Sequence, residues 1–171
     1  MSRIVVLGCA GSGKTTFARR LGERTGAPVI SLDAIWQPQW TDDDVANFRT
    51  LMKQAHAGEA WISDGNFAVA TFDIRIPRAT LVVWLDRSRL FCAWHAITRV
   101  FQPAHEHRIG GLVKVLRFIW NFDRINRPLI EAQRIAHGAD VPVVRLTNNR
   151  EMDAFLSSCG QDDRHQRSLN P

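Results

Sequence analysis

The segment from Gly8 to Thr15, with the sequence GCAGSGKT, carries the residue types of a phosphate-binding loop. Its glycines let the backbone approach an anion closely, so that consecutive N–H groups and a helix N-terminus point at phosphate oxygens. The Lys14 ammonium is expected to reach the β- and γ-phosphates of ATP, and the Thr15 hydroxyl to coordinate Mg²⁺. The predicted nucleotide-binding residues are Gly8, Cys9, Ala10, Gly11, Ser12, Gly13, Lys14, Thr15 and Thr16.

A Mg²⁺ ion at such a loop needs a further carboxylate, which usually lies at the end of another strand. Three aspartates, Asp33, Asp64 and Asp86, each follow a predicted strand and compete for this position. The strand before Asp86 has the sequence LVVWL and is the most hydrophobic of the three. The hydrophobic pattern alone therefore favours Asp86 as the metal ligand.

Arginine side chains can stabilise the negative charge that phosphoryl transfer concentrates on the γ-phosphate oxygens. Of the 22 basic residues 19 are arginines, and residues 75–134 contain 11 basic and 4 acidic side chains. The formal net charge of +5 is therefore concentrated around a predicted loop at 103–111. We expect this segment to form a lid over a triphosphate, because such a lid needs a positive field. A nucleic-acid partner is compatible with the charge but is not required by it.

The elements that must position these residues follow from the hydrophobic pattern, which alternates strands with helices. The aliphatic run 4–7 ends at Gly8, and helical spacing begins at Lys14, which is the context expected of a phosphate-binding loop. Further helices are predicted to begin near residues 44, 88, 112 and 149, the last ending near Leu156. This alternation predicts one three-layer α/β domain with a parallel sheet. The predicted strands are 4–7, 29–30, 61–62, 81–85 and 141–146.

The composition sets limits on the class of protein. A chain of 171 residues with 45% hydrophobic and 23% charged residues excludes a disordered or fibrous protein. The three cysteines are widely spaced and indicate neither a disulfide framework nor a zinc site, so a cytoplasmic location is expected. No membrane helix is expected, because no apolar run approaches about 20 residues. The predicted domain covers residues 1–156, with a lid at about 100–127 and a polar tail at 157–171.

Several short motifs occur together in this chain as they do in a known group of proteins. With them the chain resembles the adenylate kinase-like nucleoside and nucleotide kinases, and within that group it is most similar to the small DNA topology modulation proteins, which are kinase-like ATPases. The resemblance covers about residues 3–156. The motifs that carry it are the loop 8–15, SLD (31–33), WISDGN (61–66), the strand and acid LD (85–86), WNF (120–122) and RPLI (127–130).

The resemblance implies a P-loop NTPase fold, with a five-stranded parallel sheet of strand order 2-3-1-4-5, flanking helices and a helical lid. It places the aspartate of the Asp64-Gly65 pair beside the magnesium site, so Thr15 and Asp64 become the predicted metal ligands. Asp86 is then a helix-start or structural acid. For Asp33 the resemblance leaves two functional roles open, holding a metal-bound water or accepting a proton from the acceptor hydroxyl, and the alternative is a capping acid.

The resemblance also implies catalytic arginines around the lid. One is expected late in the helix after the fourth strand, which matches Arg99, and others on the helix after the lid, which matches Arg124 and Arg127. Together with Lys14 and Asp33, these three arginines are the predicted catalytic residues.

The predicted function is that of an ATP- and Mg²⁺-dependent phosphotransferase of the nucleoside, nucleotide or small-molecule kinase type, with an unidentified acceptor. The alternative is a nucleotide-dependent, DNA-associated ATPase or regulator. AMP is not favoured as the acceptor, because Asn66-Phe67 replaces the Phe-Pro-Arg continuation of adenylate kinases. Three tryptophans near the acceptor region, Trp36, Trp40 and Trp61, either stack on a ring of the substrate or pack in the core, and packing is the preferred interpretation.

Overall fold

The computed structural model describes residues 2–37, 40–41, 44–100 and 109–167. Within these ranges five strands form one sheet: β1 (Arg3–Gly8), β2 (Val29–Ser31), β3 (Trp61–Asp64), β4 (Leu81–Leu85) and β5 (Val143–Leu146). The helices are α1 (Lys14–Thr25), α2 (Leu32–Ile35), α3 (Val45–Ala55), α4 (Ala68–Arg75), α5 (Arg89–Val100), α6 (Ile109–Asn121), α7 (Arg127–Gly138) and α8 (Asn149–Arg167). A 3₁₀ turn (Ile76–Arg78) follows α4, and a π-helical turn (Phe122–Asn126) joins α6 to α7.

The sheet is parallel and has the order β2-β3-β1-β4-β5, which confirms the predicted fold. Its register aligns Val6 of β1 and Ser31 of β2 with Asp64 of β3, and Gly8 with Leu85. The carboxyl ends of the strands therefore meet at one edge, which is where ligands of open α/β sheets bind. The phosphate-binding loop, Asp33 and Asp64 all follow strands at this edge.

The central strand β1 separates two layers of the core, because its alternate side chains point to opposite faces of the sheet. Ile4 and Val6 pack with Phe17 and Leu21 of α1 on one face, together with Leu156 of α8. On the other face, Val5 and Leu7 pack with a second buried cluster. This cluster includes Phe72, Cys92, Ile119, Phe122 and Ile130. The burial of both faces explains why the strand reads as an uninterrupted aliphatic run.

The helix that contains Pro128 begins just before this residue. Pro128 was expected to kink or restart the preceding helix, and it restarts it: it lies in the first turn of α7, where its missing N–H costs no hydrogen bond. The π-helical turn lies between α6 and α7. Residues 101–108 of the predicted lid lie outside the described residues. The remainder of that lid consists of α6 and the π-helical turn.

Two helical boundaries also differ from the sequence-based expectation. Helix α8 continues to Arg167, whereas the hydrophobic pattern predicted an end near Leu156. Its start is as predicted, because Asn148 Oδ1 accepts a hydrogen bond from the Glu151 N–H at 3.0 Å. Helix α4 was not predicted, because its sequence AVATFDIR is short and contains three β-branched residues. No helix in the described part of the chain is long and apolar enough to cross a membrane.

Candidate active site

The loop between β1 and α1 has the backbone conformation of a phosphate-binding loop. Gly11 and Gly13 have φ angles of +77° and +92°, which residues with a side chain rarely adopt. A Cβ atom at Gly11 would lie 2.3 Å from the Cys92 carbonyl oxygen, so the close contact between the loop and α5 also requires glycine there. The loop leads into α1, whose first intrahelical bond runs from the Phe17 N–H to the Gly13 carbonyl at 2.9 Å.

The Lys14 side chain folds back over this loop. Its Nζ donates hydrogen bonds to the carbonyl oxygens of Gly8 and Cys9, at 3.0 and 2.9 Å. Burial lowers the pKa of the ammonium, although the charges of Asp64 and Asp33 act in the opposite direction. The cation is therefore held at the centre of the predicted triphosphate site by contacts that a phosphate oxygen can replace.

Asp64 supplies a buried carboxylate beside this loop. Only 4% of the residue is exposed, the Thr15 hydroxyl donates a hydrogen bond to the carboxylate, and Oδ1 has no hydrogen-bond partner. Burial raises the pKa of Asp64, while Thr15 and Lys14 lower it. A buried carboxylate oxygen without a partner is costly unless it has a ligand. The oxygen set formed by Thr15 and Asp64 fits Mg²⁺, which binds through one or two protein oxygens and completes its shell with water and phosphate.

No cluster of three His, Cys, Asp or Glu residues that could hold a metal ion by itself occurs in the ranges 2–37, 40–41, 44–100 and 109–167.

Asn66, which follows the Asp64-Gly65 pair, holds the first glycine of the loop. Its Oδ1 accepts a hydrogen bond from the Gly8 N–H at 3.2 Å, and its Nδ2 donates to the Gly8 carbonyl at 2.9 Å. Sequence reasoning used Asn66 only as part of a motif and did not predict this contact. The signal in the sequence is a side-chain amide placed two residues after a predicted metal ligand, Asp64.

Arg75 of α4 supports the same region from inside the core. The residue is completely buried, and its guanidinium donates to the Thr71 hydroxyl, the Ser63 hydroxyl and the Gly65 carbonyl, each at 3.0 Å, and also to the Asn66 carbonyl. Burial lowers its pKa, and the charge of Asp64 raises it. Arg75 therefore fixes the turn that carries Asn66, and sequence reasoning missed it because Arg75 resembles any helical arginine.

His56 completes this buried polar network. Its Nδ1 lies 2.8 Å from the Met52 carbonyl and its Nε2 lies 2.9 Å from the Ser63 hydroxyl. The carbonyl can only accept, so Nδ1 carries the proton and Ser63 donates to Nε2. Burial lowers the pKa of His56 to about 4, which keeps the ring neutral at physiological pH.

Asp86 occupies a different environment from Asp64. Its carboxylate accepts hydrogen bonds from both terminal nitrogens of Arg127, one of them at 2.9 Å, and from Arg145 at 3.4 Å. These bonds hold the pKa of Asp86 below its usual range. Arg127 also pairs with Asp123 at 3.0 Å. The structure thus places Asp86 in an ion-pair cluster, and it places the predicted catalytic residue Arg127 there as well.

A cleft of about 990 Å³ extends from the loop between α4, α5 and the α6–α7 region. Among the predicted catalytic residues, Lys14, Asp33 and Arg99 line it, whereas Arg124 and Arg127 are not among its lining residues. Other lining residues that the sequence did not indicate come from several elements. They include Arg19, Phe67, Val69, His95, Thr98, Phe118, Asn126, Leu129 and Ile130.

The basic segment 75–134 contributes less to this cleft than expected. Of its basic residues that the structure describes, Arg99 lines the cleft, Arg75 is buried and Arg127 is paired with Asp86. Arg89 pairs with Asp123, and Arg134 with Glu131. Arg108, predicted to lie in the lid, is outside the described residues. In this arrangement several of these charges are satisfied within the protein, and the expectation that the basic segment mainly surrounds a triphosphate stays a prediction.

No protein-family model matches the chain, and no curated protein matches it. Solved structures do match over nearly the whole chain. A shikimate kinase from Bacteroides thetaiotaomicron aligns with a TM-score of 0.59 and 16% identity, covering 99% of both chains. A shikimate kinase from Acinetobacter baumannii in complex with shikimate has a TM-score of 0.56 and 15% identity, covering 99% of this chain and 95% of the other.

A gluconokinase from Sinorhizobium meliloti 1021 aligns with a TM-score of 0.52 and 20% identity, covering 96% of this chain and 97% of the other. At these identities the likeness concerns the fold. The chain has the α/β fold of small kinases with a phosphate-binding loop.

Proposed function

We propose that this chain, which has the fold of P-loop kinases, transfers the γ-phosphoryl group of ATP to a hydroxyl group of a small molecule, with Mg²⁺ as cofactor. The observation that carries the proposal is the buried, unpartnered Asp64 Oδ1 beside the Thr15 hydroxyl and the Lys14 side chain. Such a set matches what a Mg²⁺-bound triphosphate needs from the protein. The bound Mg²⁺ would neutralise charge on the phosphate oxygens.

Each residue has a role in this proposal. The loop amides and Lys14 bind the β- and γ-phosphates, and Thr15 and Asp64 hold the Mg²⁺ ion. Asp33, which lines the cleft, accepts the proton of the acceptor hydroxyl as its oxygen bonds to the γ-phosphorus. The bond from that phosphorus to the β,γ-bridging oxygen breaks, and ADP leaves. Arg99 stabilises the negative charge on the transferring group.

Arg124 and Arg127 have a secondary place in the proposal. Arg127 would have to exchange its pairing with Asp86 for a contact to the phosphates. The exposed Arg124 would have to approach the cleft from the π-helical turn. We therefore assign the charge stabilisation first to Arg99, and to these two arginines only in a closed form of the enzyme.

A second candidate is a DNA-associated ATPase of the topology modulation type, and exposed aromatic side chains on two helices support it. Trp94 of α5 and Trp120 of α6 are 66% and 64% exposed, and the Arg89 guanidinium lies 5.2 Å from the Trp120 ring centre. Exposed aromatic rings beside basic side chains can stack on nucleobases and contact phosphates. This candidate predicts ATP hydrolysis that DNA stimulates and that weakens steeply as salt rises.

The test is ATP turnover by wild type and Lys14→Ala with nucleosides, nucleoside monophosphates and small hydroxylated metabolites, each with and without duplex DNA. ADP release that depends on an acceptor and disappears in Lys14→Ala supports the kinase. ADP release that depends on DNA and not on an acceptor supports the second candidate. A wild-type protein that does not bind ATP contradicts both.

A further inference from the structure

The wall of the cleft away from the phosphate-binding loop is largely apolar. Phe67 and Val69 from the start of α4 face the same space as Phe118 of α6 and Leu129 and Ile130 of α7. Val69 is 66% exposed and Leu129 is 44% exposed, so these side chains present apolar surface to whatever enters the cleft. Two phenyl rings in such a wall favour a planar apolar group on the ligand.

Phe67 is held in a conformation that needs support. Its φ of +37° and ψ of +44° place it in the left-handed region, and it is the one residue other than glycine with positive φ in the described part of the chain. The Thr71 hydroxyl donates to its carbonyl at 2.8 Å, and Arg75 fixes the preceding carbonyl. Strain of this kind persists where the surroundings enforce it, often at ligand-binding positions.

The Phe67 ring is also fixed by an aromatic cluster behind it. Its centre lies 5.2 Å from that of Phe48 and 6.1 Å from that of Trp36, and Trp36 in turn packs against Trp40. These tryptophans therefore act as packing for Phe67, in agreement with the preferred interpretation of the sequence. Trp61 is buried in the core.

An ion pair lies behind this wall, and neither of its two residues lines the cleft itself. Arg49 of α3 donates to both carboxylate oxygens of Asp73, at 2.9 and 2.5 Å, and to the Ala70 carbonyl at 2.7 Å. Ala70 itself lines the cleft. The Arg49–Asp73 pair lowers the pKa of Asp73 and raises that of Arg49, so both stay charged. An anion placed near Arg49 would have to approach the Asp73 carboxylate as well.

The basic residues that line the described part of the cleft lie elsewhere. Lys14 and Arg19 belong to α1, and Arg99 to the end of α5, next to the predicted phosphate site. Asp33 adds a negative charge on the acceptor side. The acceptor side thus combines apolar rings and the Asp33 carboxylate, with the neutralised Arg49–Asp73 pair behind Ala70.

We propose that the phosphoryl acceptor is an uncharged alcohol with a planar, apolar body, and that Asp73 sets this preference by neutralising Arg49. The proposal rests on the proposed phosphotransferase function and names its substrate class. The acceptor ring lies against Phe67 and Phe118, and its hydroxyl faces Asp33. Nucleoside monophosphates and carboxylated alcohols are disfavoured because Arg49, which contacts the apolar wall through the Ala70 carbonyl, is already paired with Asp73.

The test compares kcat/KM for matched acceptors that differ in charge: a nucleoside against its 3′-monophosphate, both with a free 5′-hydroxyl, and 4-(hydroxymethyl)benzyl alcohol against 4-(hydroxymethyl)benzoate. Wild type is expected to prefer the neutral member by about tenfold or more. Asp73→Ala, which leaves Arg49 without its partner, is expected to raise kcat/KM for the anionic members and narrow that ratio. Glu59→Ala, which removes the remote Arg3–Glu59 surface pair, is the matched control and is expected to leave the ratio unchanged.

Glycerol tests whether the acceptor needs a planar ring, because it is neutral but has no ring. It is expected to be a poorer acceptor than the neutral ring compounds. The inference is overturned if wild type prefers the anionic members, if Asp73→Ala leaves the ratio unchanged, or if none of the acceptors is phosphorylated. A separate titration with ATP and Mg²⁺ distinguishes a failure of this inference from a failure of the proposed function. A wild type that does not bind the nucleotide contradicts the proposed function itself.

Discussion

Asn66 holds Gly8 by both groups of its side-chain amide, accepting from the Gly8 N–H at 3.2 Å and donating to the Gly8 carbonyl at 2.9 Å. Gly8 is the last residue of β1 and the first of the phosphate-binding loop, and its carbonyl also accepts from Lys14 Nζ. If Lys14 turns toward a phosphate, Asn66 still satisfies that carbonyl. The amide therefore keeps the loop in place while the lysine changes partner.

The first prediction concerns Asn66→Asp, which keeps the shape of the side chain but replaces the Nδ2 donor with an oxygen that repels the Gly8 carbonyl. We expect ATP to bind about fivefold more weakly, since a hydrogen bond to a buried backbone group contributes about 1 kcal/mol. Isothermal titration calorimetry measures the Kd. Asn121→Asp, on α6, is the control, because the Asn121 amide donates to the Arg117 carbonyl of its own helix. An unchanged Kd in Asn66→Asp would show that the hydrogen bonds between Asn66 and Gly8 do not support ATP binding.

The second prediction tests whether Asp64 or Asp86 is the Mg²⁺ ligand. Asp64→Asn is expected to remove the Mg²⁺ dependence of ATP binding while keeping or raising Tm, because a neutral amide replaces a buried charge without a full set of partners. Asp86→Asn is expected to lower Tm while keeping Mg²⁺-dependent binding, because it breaks the pairing with Arg127 and Arg145. Thermal unfolding with and without Mg²⁺ and ATP measures both quantities. The reverse pattern would make Asp86 the metal ligand.

The third prediction is a pH dependence of stability caused by His56. Its pKa is lowered from 6.5 to about 4 in the folded protein, so below pH 6.5 the unfolded state binds a proton that the native state does not. The contribution of His56 to the free energy of unfolding is therefore present in full above pH 6.5. This contribution falls by about 2 kcal/mol between about pH 7 and about pH 5. Asp64 acts in the opposite direction, because its raised pKa lets the native state bind a proton first.

The His56 contribution is isolated by comparing wild type with His56→Gln in urea unfolding at the two pH values. The variant is expected to be less stable at neutral pH, because it loses the bond to Ser63, but to show a smaller decrease on acidification. Equal decreases in the two proteins would show that His56 does not carry the effect.

The fourth prediction concerns Cys9. A hydrogen bond from its thiol to Cys92, together with burial, raises the pKa of Cys9, so it is expected to react slowly with iodoacetamide. Cys159 on α8 is partly exposed and is expected to react first, without effect on ATP affinity. Modification of Cys9 is expected to block the loop and abolish ATP binding. Mass spectrometry of the modified sites with ATP titration checks this, and full affinity after Cys9 alkylation would refute it.

The fold and the phosphate-binding loop are well represented in the sequence. The loop has a local signal, because glycine spacing, Lys14 and Thr15 are all required by one contiguous stretch of backbone. The parallel sheet has a strong signal too, because β1 and β4 are buried on both faces and read as aliphatic runs. The strand order came from the resemblance to nucleotide kinases, and the structure confirms it.

The rest of the site depends on contacts between residues far apart in the chain. Asn66 and Gly8 are separated by 58 positions, and Arg49 and Asp73 by 24, so no local pattern reveals either pair. The same limit applies to the basic segment. The composition showed its charge, but no local pattern showed that Arg127 pairs with Asp86.

The most direct test of the account is the binding of ATP with Mg²⁺, measured by titration calorimetry with the non-hydrolysable analogue AMP-PNP in wild type and Lys14→Ala. We predict one Mg²⁺-dependent site in wild type. We expect the Lys14→Ala variant to bind about 10- to 100-fold more weakly, because it loses charge-assisted hydrogen bonds to the phosphates. No binding to wild type, or equal affinity in the two proteins, would contradict the assignment of this loop and its lysine to ATP.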